Sequence, residues 1–177
     1  MEFTELIKER RSVRAYREAE ITHEELLGIM KEAQMAPSWK NMQASRCYIV
    51  ESPGKVSAFR KGALPEYNQN STAKASAYIV TTFVRNTVGY LDGKPQTELG
   101  NKWGAYDLGL HDAYLLLAAR NAGWDTLVMG LRNVEYIRET LGIPAEEDVV
   151  SVIAVGKRSA EPVLRPRKET EEVAKFF

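Results

Sequence analysis

The spacing of apolar side chains predicts two helices near the start of the chain. Apolar residues in "FTELIK" recur at helical intervals, and that helix should end where "RRSVRAY" begins. A second helix is predicted at 23–35, because Thr22 and Glu25 form a capping-box pattern and Pro37 follows its end. The arginine-rich "RRSVRAY" therefore lies at the exit of the first helix.

Short runs rich in β-branched and aromatic residues predict the strands of a sheet. Each run is apolar, as buried strands are. The predicted strands are 46–51 ("RCYIVE"), 75–84 ("ASAYIVTTFV"), 124–130 ("WDTLVMG") and 149–156 ("VVSVIAVG"). An amphipathic segment from Lys55 to Gly62 follows the first strand, so helices are expected to alternate with the sheet.

The segment 103–122 is apolar nearly all round and predicts a helix that is covered on more than one side. It is either a central core helix or a seam between two copies. Asn133 is the predicted cap of a later helix over "VEYIRETL". Residues 85–100 lack a period and are predicted to form a mobile loop or a lid, and the polar tail 157–177 leaves the compact unit. No repeat or linker divides the chain, so we predict one α+β domain over residues 1–177.

Charge and cysteine content narrow the classes of function. The 24 Lys and Arg residues balance 24 Asp and Glu residues, so no global field favours nucleic acid or an anionic membrane. Cys47 is the only cysteine, which excludes an internal disulfide and favours a reducing compartment, the cytoplasm. The longest apolar run, 113–119, is too short to span a bilayer, and neither a signal peptide nor an anchor is predicted.

Familiar catalytic and nucleotide-binding motifs are missing from the sequence. There is no G-x-G-x-x-G and no Walker loop, so a phosphate must be held by other means. His23 and His111 belong to no ligand cluster, and no metal site is predicted. His111 is interpreted as a core or interface histidine and Cys47 as a buried, inert thiol. We therefore predict no catalytic side chain.

Arginines cluster at two places far apart in the sequence. Arg10, Arg11 and Arg14 surround Ser12, and Arg165 and Arg167 flank a proline in the tail. Guanidinium groups match a phosphate monoester bidentately, and a serine hydroxyl can donate to a remaining oxygen. Clustered arginines more often form a solvated charged face, so the residues alone leave both interpretations open.

Two further segments carry groups that could contact a ligand. "APSWKNMQ", at 36–43, offers Ser38, Asn41 and Gln43 with Trp39 as an apolar wall, although a helix-terminating turn would have the same composition. In Met129-Gly130-Leu131, which closes a predicted strand, the glycine would allow a ligand to approach backbone N–H groups. A plain strand-to-helix turn also accounts for it.

Taken together, these motifs resemble the nitroreductase family of FMN-dependent oxidoreductases over nearly the whole chain. "RRSVRAY" resembles the family's Arg-x-Ser-x-Arg/Lys motif, and "APSWKNMQ" its Pro-Ser-x-x-Asn-x-Gln motif. The long apolar helix followed by "GWDTLVMG" resembles its dimer helix and flavin-edge strand, and "RPRK" its late basic pair. The resemblance implies a mainly antiparallel central sheet flanked by helices, in an intertwined homodimer whose tails 157–177 wrap the partner.

The resemblance also implies a set of FMN contacts. Arg10, Arg11, Ser12 and Arg14 would be shared between the phosphate, the ribityl chain and the pyrimidine edge, and Arg165 and Arg167 would complete the phosphate clamp. The loop residues Pro37, Ser38, Trp39, Asn41 and Gln43 would reach the flavin held mainly by the other subunit. Asn68 would contact the ring edge, and backbone N–H groups of the Met129-Gly130-Leu131 turn would face N5.

The implied function is ping-pong hydride transfer from NADH or NADPH, through FMN, to a nitroaromatic, quinone or similar small-molecule acceptor. A dehydrogenase, a dehalogenase, a flavin-modifying enzyme of the same fold and a non-catalytic flavin-binding protein remain alternatives. An RNA-binding domain is disfavoured by the zero net charge. The chain departs from larger members in its short 85–100 segment and in Ser71, where some members have a lysine.

Overall fold

The computed structural model describes residues 2–177 as a mixed helical and antiparallel-sheet structure. The helices are α1 (Phe3–Glu9), α2 (His23–Ala33), α3 (Pro53–Ala63), α4 (Glu66–Ser71), α5 (Lys102–Asn121), α6 (Val134–Leu141) and α7 (Thr170–Val173). The strands are β1 (Tyr16–Arg17), β2 (Ser45–Val50), β3 (Ala77–Val84), β4 (Tyr90–Leu91), β5 (Lys94–Pro95), β6 (Asp125–Met129) and β7 (Glu147–Arg158). A short 3-10 turn spans Trp39–Asn41.

The long strand β7 organises the main sheet. It pairs antiparallel with β3 and with β6, and its end pairs with β1, while β2 extends the sheet beyond β3. Ile153 of β7 has Ile79 of β3 and Val128 of β6 as its register partners. The prediction of a mainly antiparallel sheet is confirmed.

Both faces of the central strands are buried, because helices cover both. On one face, Leu26 of α2 and Leu115 of α5 pack against Ile79 and Ile153. On the other face, α3 and α6 pack against alternate residues such as Tyr78 and Val152. A strand buried on two sides has no polar alternation, which is why these strands are continuous apolar runs in the sequence.

Helix caps decide where several helices begin and end. The predicted capping box of α2 is present, with Glu25 N–H donating to Thr22 Oγ1 and Thr22 N–H donating to the Glu25 carboxylate. Asn133 Oδ1 caps α6 by accepting from Tyr136 N–H. Gly142 ends α6 in the left-handed region, at φ 63°.

Several structured segments lie outside the predicted elements. Helix α4 was missed because "EYNQNS" buries only Asn68 and has no apolar period. The predicted loop or lid at 85–100 contains a short hairpin, in which β4 and β5 pair across a turn with Asp92 and Gly93 at positive φ. Its role as a lid stays a prediction. Strand β7 begins two residues early, at a buried Glu147 whose carboxylate accepts from Tyr48 and Thr82.

One side of α5 is left open by the rest of the chain. Its Leu115 and Ala119 are buried, whereas Tyr106 and Tyr114 are exposed and the side of Gly109 faces open space. The tail beyond Ser159 is also largely exposed. Such surfaces are consistent with a second copy, and the homodimer stays a prediction.

Candidate functional site

The two arginine clusters meet in one cavity. A volume of about 600 Å³ is lined by Arg10, Arg11, Ser12 and Arg14 at the exit of α1 and by Arg165 and Arg167 of the tail. The tail thus folds back beside a segment more than 150 residues earlier in the chain. The structure therefore brings together all six residues of the two clusters that were predicted to contact FMN.

The first cluster is held along the edge of β6. Ser12 forms a parallel bridge with Thr126, and the N–H of the buried Val13 donates to the Thr126 carbonyl at 3.0 Å. Val13 fills the core, so the residues on either side of it are directed outward. The position of Ser12 and Arg14 on either side of the buried Val13 therefore directs these two side chains toward the cavity.

A buried ion cluster anchors the end of α1 just before these arginines. Arg158 donates to Asp125 Oδ1 at 2.6 Å and to the Glu9 carbonyl at 3.2 Å, and Arg120 donates to the same carboxylate at 3.2 Å. The hydrogen bond from Arg158 to Asp125 raises the pKa of the arginine. Sequence reasoning missed this cluster, although Asp125 at the head of an apolar strand was a signal that a cation lies opposite it.

The cavity carries uncompensated positive charge. Partial burial lowers the pKa of Arg10, and the nearby charges of Arg11 and Arg167 lower it further. Within residues 2–177, none of the five lining arginines forms an ion pair, and Glu161 is the single carboxylate that lines the cavity. Guanidinium groups that repel one another in this way favour an anion of more than one charge.

The turn after β6 lies along the same edge. Met129 is buried, while Gly130 and the side chain of Leu131 are exposed, and a Cβ at Gly130 would meet nothing within 4 Å. Asn68 is buried beneath this turn and its Nδ2 donates to the Leu131 carbonyl at 3.3 Å. Met129 lies three positions after Thr126 along β6, which is a distance of about 10 Å. An elongated ligand could therefore contact both the arginine cavity and this turn.

The 36–43 loop lines a different cavity, of about 340 Å³. Pro37, Ser38 and Gln43 line it together with Asp107 and His111 of α5. The two cavities share no lining residue, so the arginine cavity and the 36–43 loop are separate within one chain. Of the predicted residues, the structure brings the arginines and Ser12 together, places Asn68 under the Gly130 turn, and keeps the loop apart from both.

The loop has a strained backbone that is pinned at two points. Lys40, Asn41 and Gln43 have φ of 48°, 56° and 49°, in the left-handed region that residues other than glycine seldom adopt. Gln43 N–H donates to Ser38 Oγ at 3.0 Å. Trp39 N–H donates to Asp107 Oδ2 at 2.8 Å.

Asp107 is a site residue that sequence reasoning missed. Only 4% of it is exposed, and its carboxylate oxygen reaches a loop that is 68 positions away in sequence. A carboxylate inside an otherwise apolar helix is costly without a donor. That mismatch was the available signal, although it could not have identified Trp39 as the donor.

Cys47 and His111, the side chains that could act as nucleophile or base, are not available for these roles. Burial, with Asp112 nearby, raises the pKa of Cys47 to about 12. His111 Nδ1 lies 3.3 Å from Asp112 Oδ1, and both side chains are mostly buried. Among residues 2–177 there is no cluster of His, Cys, Asp and Glu able to hold a metal ion. In the same residues, no helix combines the length and apolar character needed to cross a membrane.

Comparison with known proteins shows the family to which this chain belongs. A family model described as the Nitroreductase family matches residues 7–157. The chain belongs to this family. A protein of Archaeoglobus fulgidus, named for NADH dehydrogenase and NAD(P)H nitroreductase, is 31% identical over 163 residues, which cover 88% of this chain and 84% of the relative.

Two further relatives match this nitroreductase-family chain over almost its full length. YdgI of Bacillus subtilis, which carries the name of an NAD(P)H nitroreductase, is 29% identical over an alignment of 206 residues. The alignment covers 99% of this chain and 97% of YdgI. A nitroreductase-type structure from Exiguobacterium sibiricum, described in complex with FMN, has a TM-score of 0.87 at 24% identity. It covers 100% of this chain and 98% of that one, and so confirms the predicted nitroreductase fold.

Proposed function

We propose that this protein is an FMN-dependent oxidoreductase that uses NADH or NADPH to reduce nitroaromatic, quinone or similar electron-poor acceptors. The observation that carries the proposal is the convergence of five arginines on one cavity, along the same strand edge as the open turn at Gly130. FMN is an elongated ligand with a phosphate dianion at one end. A charged cavity at one end of an edge and accessible backbone at the other fit such a ligand.

The names of the relatives support the same cofactors. The Archaeoglobus and Bacillus proteins are named for NAD(P)H nitroreductase activity, and the Exiguobacterium structure holds FMN. Family membership extends over 7–157, which includes the first arginine cluster, the 36–43 loop and the Gly130 turn. Arg165 and Arg167 lie beyond that range, so their part in the site rests on the cavity they line.

The arginine cavity fits a phosphate because its positive guanidinium groups complement the negative charge of the phosphate. Arg10, Arg165 and Arg167 would pair with phosphate oxygens, and the Ser12 hydroxyl would donate to another. Arg11 and Arg14, which donate to the Arg10 and Ser12 carbonyls, are candidates for the ribityl oxygens and the pyrimidine edge. A dianion there would relieve the repulsion that lowers the Arg10 pKa.

The ring end of the site would be completed by a second copy of the chain. The Gly130 turn would offer backbone N–H groups to the flavin ring, with Asn68 supporting the turn from below. Pro37, Ser38, Trp39, Asn41 and Gln43 would come from the partner, because the loop lines a separate cavity of its own chain. The exposed side of α5 would form the seam between the copies, and the tail 157–177 would lie across the partner.

The protein would bind and orient the reactants without a catalytic acid or base. When bound, FMN supplies the redox chemistry, taking a hydride from NAD(P)H and passing it to the acceptor in a ping-pong sequence. The chain holds the phosphate by charge, supports the ring with the Gly130 backbone, and covers it with the partner's loop. Cys47 stays protonated near neutral pH, because its pKa is raised to about 12. The presence of a single cysteine is in keeping with a reducing compartment such as the cytoplasm.

Stopped-flow mixing of the FMN-loaded protein with NADH or NADPH tests the proposal. We expect flavin absorbance to bleach with at least one nucleotide and to return when a nitroaromatic or a quinone is added. A panel of acceptors then separates a reductase from a dehydrogenase or a dehalogenase. Flavin that remains oxidised with both nucleotides would overturn the proposed activity, even if FMN is bound.

A further inference from the structure

Two side chains hold the Gly130 turn by donating to successive carbonyl groups. Arg132 donates through one terminal guanidinium nitrogen to the Gly130 carbonyl at 2.5 Å, and Asn68 donates to the Leu131 carbonyl at 3.3 Å. In a trans peptide the N–H points away from the C=O of the same peptide unit. The N–H groups of Leu131 and Arg132 therefore point away from these donors, and within residues 2–177 neither has an acceptor. The turn thus offers two backbone donors to a ligand.

Arg132 also ties this turn to the neighbouring strand. The register pairing of β6 with β7 ends at Met129 and Val152. The second terminal nitrogen of Arg132 donates to the carbonyl of Val149, which lies on β7 beyond that last pair. One arginine therefore fixes the turn against the sheet at the point where backbone pairing stops.

Arg132 brings a positive charge to the turn as well as hydrogen bonds. Its Nε is buried without a hydrogen-bond partner, and no carboxylate of residues 2–177 forms an ion pair with it. Partial burial lowers the pKa of its guanidinium group. A charge without a partner is costly to bury, whereas the neutral amide of Asn68 holds the Leu131 carbonyl without that cost. The arrangement therefore suits a negatively charged group beside the turn.

A negative charge arises beside this turn if the flavin ring lies there and is reduced. The oxidised ring is neutral, and uptake of a hydride, which is one proton and two electrons, gives it one negative charge. A guanidinium group that polarises the Gly130–Leu131 peptide strengthens the Leu131 N–H as a donor to that charge. Such a group would favour the reduced ring over the neutral oxidised ring.

We propose that Arg132 is a positioning residue that acts through the Gly130 turn and makes the site bind reduced FMN more tightly than oxidised FMN. The proposal rests on the proposed function, because the ring must lie at this turn. It separates the two ends of the site, since the arginine cavity would bind the phosphate in both redox states and Arg132 would distinguish between them.

The test measures the two-electron midpoint potential of bound FMN in an Arg132→Met variant, by reductive titration against a dye of known potential. Methionine removes the charge and the donors but keeps an unbranched side chain. We expect the ratio of the affinities for reduced and oxidised FMN to fall about tenfold, the size of one lost charge-assisted hydrogen bond. For a two-electron couple this corresponds to a potential about 30 mV lower. Arg132→Lys keeps the charge and should restore at least half of the shift.

Arg138→Met is the matched control. Arg138 also donates to backbone carbonyls, those of Pro144 and Glu147, but in the described chain it donates to no atom of the Gly130 turn. Both methionine variants should be less stable in urea, because each loses hydrogen bonds to carbonyl groups. Only Arg132→Met should lower the midpoint potential, which separates the proposed role from a structural one.

Three results would overturn the proposal. They are an unchanged potential in Arg132→Met, an equal fall in Arg138→Met, and a potential in Arg132→Lys as low as that in Arg132→Met. If Arg132→Met does not fold, Arg132→Gln keeps an amide donor without the charge, and the same fall is expected. Failure of the proposed function looks different, because the unaltered protein would then bind no FMN or resist reduction by both nucleotides.

Discussion

The two candidate regions of this chain, the arginine cavity and the 36–43 loop, are built in opposite ways. The arginine cavity consists of long side chains that repel one another and that donate hydrogen bonds to nearby backbone carbonyls. The 36–43 loop is held by a buried carboxylate, a strained backbone and tilted aromatic rings. One half can therefore adapt to its ligand, whereas the other is shaped before a ligand arrives.

This difference predicts different sensitivities for the two halves. Charge acts over several ångströms, so the arginine cavity should tolerate small displacements and weaken as salt is added. The loop depends on short, directional contacts, so one lost hydrogen bond should move it. Four experiments test this difference, beginning with the one for which we expect the largest effect.

Removal of Arg14 and Arg167 together should have the largest effect. Each charge-assisted contact is worth roughly 1.5–3 kcal/mol, so FMN affinity should fall by about 3–6 kcal/mol. Fluorescence titration of FMN against the Arg14→Ala, Arg167→Ala double variant measures the loss. Arg17→Ala is the matched control, because Arg17 is exposed nearby on β1 but does not line the cavity. Equal affinities in the double variant and the control would mean that the clamp is misassigned.

The reactivity of Cys47 tests the rigidity of the region around the 36–43 loop, because Cys47 lines the cavity behind that loop. Its pKa is raised to about 12, and only a thiolate reacts with iodoacetamide. Near pH 8 we expect alkylation roughly a thousandfold slower than that of a free cysteine, with the rate rising tenfold per pH unit below the pKa. Mass spectrometry of the folded protein, with urea-unfolded protein as control, measures the rate. Labelling at the rate of the unfolded chain would show that this half is loose.

Asp107→Ala tests the contact that pins the loop. The substitution leaves the Trp39 N–H without its acceptor, so the free energy of unfolding should fall by about 1–3 kcal/mol. Asp107→Asn keeps an oxygen in the same place and should lose less than half as much. Urea denaturation without FMN gives both values. If the alanine and asparagine variants are equally stable, the loop does not depend on this hydrogen bond.

The smallest effect concerns the arginine cavity without its cofactor. Inorganic phosphate should bind the clustered guanidinium groups and raise the melting temperature of FMN-free protein by about 2–4 °C, corresponding to roughly 1 kcal/mol. Sodium chloride at the same ionic strength is the control for screening. A shift that persists in an Arg165→Ala, Arg167→Ala variant would place the anion elsewhere.

The arginine cavity was more predictable from sequence than the fixed geometry of the 36–43 loop. The arginines around Ser12 are visible as a motif, and local rules also predicted α2 and the buried strands, because caps and apolar runs are short-range signals. No local pattern shows that Arg165 and Arg167 reach the same cavity, since chain reversal over such a distance depends on the whole sheet. The nitroreductase resemblance connected the clusters before the structure did.

The geometry of the 36–43 loop depends on contacts between residues distant in sequence, which no local pattern reveals. The hydrogen bond between Trp39 and Asp107 joins a loop to a helix 68 positions later, and Trp103 reaches the same loop from the start of that helix. Helix α4 and the β4–β5 pair escaped prediction because turn geometry and polar contacts, rather than apolar period, hold them. Sequence therefore identified which residues could contact a ligand but not how the loop is fixed.

We propose that FMN binds in a site completed by two copies of this chain. Sedimentation velocity of the FMN-reconstituted protein, followed at the visible absorbance of flavin, measures binding and assembly together. We expect the flavin absorbance to sediment entirely with a dimer, at one FMN per chain. Flavin that sediments with a monomer, or a protein that sediments without flavin after reconstitution, would contradict the shared site.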